Sequence, residues 1–337
     1  MNQRKLITLW FSTLLGLFGC DLPSPPPDLF YKFDVMPVGK GPSFLLTHDL
    51  NLDGELDLVT VNSKDNSLSL LYGKGDGTFH NARRIRLPEE PTMAAQGDVN
   101  RDGIPDLVVN SRGEEMFVVL PGNGDGSFRK PIPIKTGKVP WSIILADFNN
   151  DKKLDAAVTL TFDQMEIYLG TGDGYFKKGE TYLSGSRSFS GVSEDFNEDG
   201  NPDIALATSS SNSSSIRVFL GNGNGTFKKS KVEAKQLVPI AVILEDMNND
   251  GKSDLVFASG KGDNLYMLYS NGDGSFSLVV RNPTGSFHYP TRDYVVDGGT
   301  VLAITSGDYN HSGMNDIAVA SNFKNTVEIY LQRRSFK

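Results

Sequence analysis

Cysteine is almost missing from this chain. The single one, Cys20, in 337 residues rules out an internal disulfide and leaves the remainder without a thiol. Histidine is scarce as well: His48, His80, His288 and His311 lie far apart, without zinc-type spacing, and no G-x-S-x-G elbow occurs. With no acid, base and nucleophile brought together, the expectation is a protein that is not an enzyme. Runs of Lys and Arg are lacking too, and the formal charge of −8 argues against a nucleic-acid partner, which needs a basic patch. Past residue 20 no segment approaches the roughly 20 apolar residues of a membrane helix. Nor does any long stretch there show helical periodicity. Short apolar segments punctuated by Gly, Asn, Asp and Ser indicate an all-β chain rich in turns.

The N-terminus reads as a separate object. Arg4 and Lys5 precede the apolar run "LITLWFSTLLGLFG", and Cys20 closes it, the layout of an export signal over residues 1–19. Leu17-Phe18-Gly19-Cys20 resembles the lipobox of bacterial lipoproteins, which implies cleavage before Cys20 and a lipid on its thiol. The Pro-rich residues 20–29 form a semi-rigid tether, and residues 30–337 form the folded domain. Membrane contact is then through the anchor alone. The implied location is the bacterial cell envelope, with the domain outside the cytoplasm.

What the chain has in abundance is one acidic run in six versions. They are "DLNLDGELD" from Asp49, "DVNRDGIPD" from Asp98, "DFNNDKKLD" from Asp147, "DFNEDGNPD" from Asp195, "DMNNDGKSD" from Asp246 and "DYNHSGMND" from Asp308. Side-chain oxygens stand at positions one, three, five and nine, with a glycine at six for a sharp turn. Hard oxygen donors at this density suit Ca²⁺. The candidate ligands are Asp49, Asn51, Asp53 and Asp57; Asp98, Asn100, Asp102 and Asp106; Asp147, Asn149, Asp151 and Asp155; Asp195, Asn197, Asp199 and Asp203; Asp246, Asn248, Asp250 and Asp254; and Asp308, Asn310 and Asp316. Lys152 replaces the glycine in the third run and Ser312 the middle carboxylate in the sixth, so four strong sites and two degenerate ones are expected. An EF-hand is excluded because position twelve carries no Glu (Val158 in the third run). The competing reading is a turn that satisfies its own backbone and binds no metal. His48 and His311, which adjoin or occupy these runs, are expected to be exposed turn residues.

First-aspartate spacings of 49, 49, 48, 51 and 62 residues are those of a solenoid or propeller. Each unit reads as an apolar strand A ("PSFLLTH"), the acidic loop, strand B ("DLVTVNS"), strand C ("SLSLLYG"), a glycine hairpin ("GKGDGTF") and strand D ("FHNARRIRL"). The hairpin recurs with Phe79, Phe128, Phe176, Phe227 and Phe276 behind it, packing knobs between sheets. Four antiparallel strands per unit predict a β-propeller of six four-stranded blades, seven being the alternative. The opening "FYKFDVMPVG" has the character of a D strand that completes the last blade.

Acidic loops and "GxGDGxF" hairpins together resemble the FG-GAP repeats of integrin α-chain propellers and their bacterial VCBS-type relatives. The resemblance covers nearly all of residues 30–337 and implies Ca²⁺ at the loops. It leaves the opposite face, where B–C and D–A connections emerge, for a protein or glycan partner. Phe44, Trp141, Arg187 and Phe189 begin A strands on that face, and the long last interval adds His288, Tyr289, Arg292 and Tyr294. The expectation is a monomeric binding or adhesion module, the alternative a lectin or a polysaccharide lyase-like enzyme.

Overall fold

A computed structural model of the chain describes residues 30–185, 187–209, 214–233, 239–246, 250–259, 265–277, 301–322 and 324–332. The export signal, Cys20, the tether, Asn248 and the segment with His288, Tyr289, Arg292 and Tyr294 lie outside them.

All the regular structure among the described residues is β-strand, in six four-stranded antiparallel sheets. Five follow chain order. They are β2 (Pro42–His48), β3 (Asp57–Asn62), β4 (Ser67–Leu71) and β5 (Arg83–Arg86); β6 (Pro91–Gly97), β7 (Asp106–Ser111), β8 (Met116–Leu120) and β9 (Ile132–Lys135); β10 (Pro140–Ala146), β11 (Asp155–Leu160), β12 (Gln164–Gly170) and β13 (Phe176–Leu183); β14 (Arg187–Glu194), β15 (Asp203–Ser209), β16 (Ser215–Gly221) and β17 (Phe227–Glu233); and β18 (Pro239–Glu245), β19 (Asp254–Ser259), β20 (Leu265–Ser270) and β21 (Phe276–Ser277). In the sixth, β22 (Val301–Gly307), β23 (Asp316–Ser321) and β24 (Thr326–Gln332) are completed by β1 (Phe30–Pro37), which pairs antiparallel with β24 from Phe30↔Gln332 to Pro37↔Thr326.

The strands follow from their sequences. β3, β7, β11 and β23 are buried at every residue, which is why, after the opening Asp, they lack the alternation of apolar and charged residues of a half-exposed strand. The outer strands are different. β5 ("RRIR") and β13 ("FKKGETYL") are mostly exposed, and their cations guard an open edge against further pairing. β5 is shorter than the sequence suggests: Phe79 makes only an isolated bridge to Gly73, and regular pairing resumes at Arg83.

A bulge interrupts the start of β2, β10, β14, β18 and β22, as the register slips between Pro42 and Phe44, Pro140 and Ser142, Ser188 and Ser190, Pro239 and Ala241, and Val301 and Ala303. A bulge leaves one residue out of the ladder. Trp141 and Phe189 occupy that position, and Ser43 is their counterpart on β2; Phe44 lies one residue further on and is in register with Val61.

The chain forms two compact units. One comprises Met1–Pro91, Gly124–Gly126 and Thr291–Lys337, and contains the β1-β24-β23-β22 and β2-β3-β4-β5 sheets. Its core joins Met36, Leu45, Leu58, Ala318 and Ile329, and Phe79 meets Tyr309 edge-on at 5.6 Å. The other comprises Thr92–Asn123 and Ser127–Pro290. There Phe148 meets Phe227 at 5.3 Å, Phe196 meets Phe276 at 5.4 Å and Phe117 meets Phe176 at 5.4 Å, all edge-on. Phe176, Phe227 and Phe276 therefore pack against the sheet preceding their own, as Phe79 does against the β22–β24 sheet, and each adds roughly 0.5–1.5 kcal/mol of ring–ring energy to its burial. Phe227→Ala is expected to lower unfolding free energy by about 3–5 kcal/mol, read from the urea midpoint; a loss below about 1 kcal/mol would show that the ring carries no inter-sheet packing.

Candidate functional site

The acidic loops share one backbone design. In the first, Asp49 accepts the N–H of Asp53 through Oδ1 (3.2 Å) and of Gly54 through Oδ2 (3.0 Å), while Asn51 Oδ1 accepts the same Asp53 N–H at 3.1 Å. Oxygens from positions one and three thus meet at the position-five amide. The same pair converges on Asp102, Asp151, Asp199 and Ser312. In the fifth loop Asp246 accepts from Asp250 and Gly251.

Two residues adopt left-handed backbone, not one, in each of the five loops whose position four is described. Position six does so as expected, and Lys152 manages it in the third loop at φ 65°, so its turn survives without glycine. Position four does so as well, with Leu52, Arg101, Asn150, Glu198 and His311 at φ 54–63°. His311 is exposed there, and its Nε2 lies 2.6 Å from Glu55. His48 corrects the expectation of an exposed turn: it is the half-buried last residue of β2, opposite Asp57, and burial outweighs neighbouring Asp49 to hold its imidazole below the usual pKa.

Position nine behaves unlike the other donors. Asp57, Asp106, Asp155, Asp203, Asp254 and Asp316 are all 0 % exposed. Asp57 accepts the N–H of Leu50 through Oδ2 and of Gly73 through Oδ1, both at 2.9 Å. Asp106 does the same with Val99 and Gly122, Asp155 with Phe148 and Gly170, Asp203 with Phe196 and Gly221, and Asp316 with Tyr309 and Gln332; Asp254 accepts from Ser270. One buried carboxylate therefore ties the end of strand A to the end of strand C. This explains the first hairpin glycine. A Cβ on Gly73 would stand 2.4 Å from the Leu56 carbonyl oxygen, and on Gly122, Gly170 and Gly221 it would stand 2.1–2.3 Å from the equivalent carbonyls.

Burial raises the Asp57, Asp155, Asp203 and Asp316 carboxyls to about 6, against the pull of their two backbone donors. Nearby loop carboxylates, Asp53 and Asp49 for Asp57, push the same way. Among the described residues no three Asp, Glu, His or Cys side chains form a metal-holding group. The half-buried carboxylates at position one and the exposed ones at position five accept backbone amides of their own loop, as Asp49 does from Asp53 and Gly54 and Asp53 from Glu55.

At the other end of the sheets Trp141 is half-buried, with the Arg112 guanidinium 4.1 Å over its ring. Arg112 was not visible from the sequence, because nothing there links a B–C turn to the next sheet's first strand. Phe44 is half-buried; Arg187 and Phe189 are placed by their backbone on β14.

Asp203→Ala would strand two buried amides, at roughly 1–3 kcal/mol each, so a loss of about 2–5 kcal/mol is expected in chelator-treated protein. Asp199→Ala, at an exposed position, is expected to cost about 1 kcal/mol or less. Equal losses in urea melts would refute the distinction. The pH dependence has a definite sign: a folded carboxyl at about 6 against roughly 3.9 unfolded contributes stability that is full below about pH 4 and is lost as pH rises through 6. Metal-free wild type should therefore lose more stability between pH 4 and 7 than Asp203→Asn does; parallel profiles would contradict this.

Comparison with known families matches the FG-GAP-like repeat over residues 49–109, 98–158, 195–239 and 246–319. Comparison with curated proteins finds no match. Among solved structures, BBS1N in complex with ARL6DN is similar at 12 % identity and a TM-score of 0.55, covering 91 % of this chain and 98 % of that one. A protein from Lactobacillus plantarum follows at 14 % and 0.54, covering 73 % and 72 %. An Agrocybe aegerita lectin that recognises non-reducing terminal N-acetylglucosamine is similar at 18 % and 0.52, covering 84 % and 75 %. These likenesses bear on fold alone, and the fold is a β-propeller. With matched repeats spanning more than half its length, the chain belongs to the FG-GAP-like repeat family.

Proposed function

We propose that the chain forms a single propeller of six blades, braced by Ca²⁺ at four acidic loops and held at the bacterial cell envelope by a lipid on Cys20, and that it binds a protein or glycan partner rather than performing catalysis. One observation carries the binding role. The acidic-loop end of each sheet is consumed by framework hydrogen bonds, whereas the opposite end presents bulged strand starts with Trp141 and Arg112. Two structural neighbours favour the same reading: BBS1N is seen in complex with ARL6DN, and the Agrocybe aegerita lectin recognises a sugar. The lectin gives the glycan branch its support.

The donor chemistry of the loops fits a hard cation. Carboxylate and amide oxygens from positions one and three already converge on one point, and each keeps a lone pair beyond its amide bond. Positive side chains already seek position five: Lys153 Nζ lies 2.9 Å from Asp151, and Arg129 lies 2.7 Å from Asp102. Positions one, three and five would hold the ion in the first, second, fourth and fifth loops, and position nine would keep its amides while facing the ion with its remaining lone pairs. Bound Ca²⁺ supplies a cross-link between the two arms of each loop and offsets their negative charge.

Adding Ca²⁺ to chelator-treated protein should raise the melting temperature by several degrees, since saturation at a hundredfold over Kd stabilises by about 2.7 kcal/mol per site. Asp195→Ala with Asp199→Ala should remove part of that rise. An unchanged melting temperature with no ion uptake by calorimetry would overturn the bracing. Partner capture from envelope extracts and glycan arrays should be lost in Trp141→Ala while chelation leaves the protein folded; capture indifferent to Trp141 would sink the assignment of the face.

A further inference from the structure

The Trp141 corner contains more than one aromatic residue. Arg112 holds its guanidinium over the indole, has no side-chain acceptor among the described residues, and its Nε is buried without a partner. Two residues earlier, near the end of β7, Asn110 is 0 % exposed, with both amide atoms unpaired. The apparent cost of such groups calls for an explanation. In the sheet of Trp141, the β11–β12 turn holds Phe162 80 % exposed at φ 63°, an unfavourable conformation for a bulky residue that gains little packing in return. Lys138 Nζ stands 5.6 Å over that ring while donating to Gln164 Oε1, and the Thr161 N–H donates to the Val139 carbonyl at 2.9 Å. Two cation-on-aromatic pairs therefore flank the Val139–Pro140 link. Of the acids close by in sequence, Glu114 is drawn toward Lys135 at 3.7 Å, and Asp163 follows Phe162 on the exposed turn.

A guanidinium already held over an indole gives up little freedom when a carboxylate pairs with its terminal nitrogens. Aromatic faces beside it suit the apolar faces of sugar rings. We propose that Arg112, Trp141, Lys138 and Phe162 form a binding site for a uronate-bearing glycan, with Arg112 gripping one sugar carboxylate and Lys138 another further along the chain. This deepens the partner-binding role proposed above and rests on it.

Trp141 is the only tryptophan beyond Trp10, so its emission reports on the site directly. Titrating the full chain with oligogalacturonate should give a saturable change in emission. Carboxyl-reduced oligomer should give none, and polyglutamate should bind at least about tenfold more weakly. Arg112→Gln should weaken oligogalacturonate binding about tenfold or more, the scale of a lost charge-assisted hydrogen bond, with Lys138→Gln weaker in the same direction and melting temperatures unchanged. Arg112→Lys should not restore affinity. No saturable change, equal binding of the reduced oligomer or of polyglutamate, or wild-type affinity in Arg112→Gln would each overturn the proposal. A partner lost in Trp141→Ala but kept in Arg112→Gln would overturn it alone and leave the broader binding role standing; loss of all Trp141-dependent capture would remove both.

Discussion

Everything in this architecture leans on a carboxylate that never reaches water. In each repeat the ninth residue of the acidic loop accepts a backbone N–H at the end of strand C and, wherever the residue just beyond strand A is described, another there. A strand ladder secures neighbours side by side, but it does not fix how far one strand end projects past another. The buried aspartate does that for three strands at once, because its two oxygens have fixed separation and each is matched to one amide. A protein interior makes such a charge-assisted bond strong and makes its absence correspondingly costly.

That arrangement separates two jobs that the acidic run superficially combines. Positions one, three and five shape the turn and remain partly open to solvent; position nine belongs to the core. The third and sixth loops show the separation directly. One has lost its glycine and the other its middle carboxylate, yet Asp155 and Asp316 keep both amide partners. Donor chemistry at the open positions can drift while the fold persists.

Much of this was legible in the residues. The repeat period, the order of four strands, the hairpin phenylalanines as inter-sheet contacts and the pairing of the opening strand with the last sheet all follow from pattern and turn chemistry, which act locally. "PSFLLTH" corresponds to β2 residue for residue. What was not legible depends on residues distant in sequence. Asp57 reads as one more ligand until the Gly73 amide is seen to face it, sixteen residues on. The bulges that equate Trp141 with Ser43 rather than Phe44 leave no compositional trace. The partnership of Arg112 with Trp141 joins two sheets. His48 looked like a turn residue because an acidic run follows it, yet the strand extends through it.

The pairing of β1 with β24 has a mechanical meaning. Traction applied ahead of Phe30 along the strand axis would load the whole ladder from Phe30↔Gln332 to Pro37↔Thr326 in shear, so that its hydrogen bonds must fail together. Traction across the axis would peel them apart one at a time, beginning at Phe30. The domain is thus built to resist tugging in one direction and to yield in another, a directional strength set by which end of the ladder the chain enters.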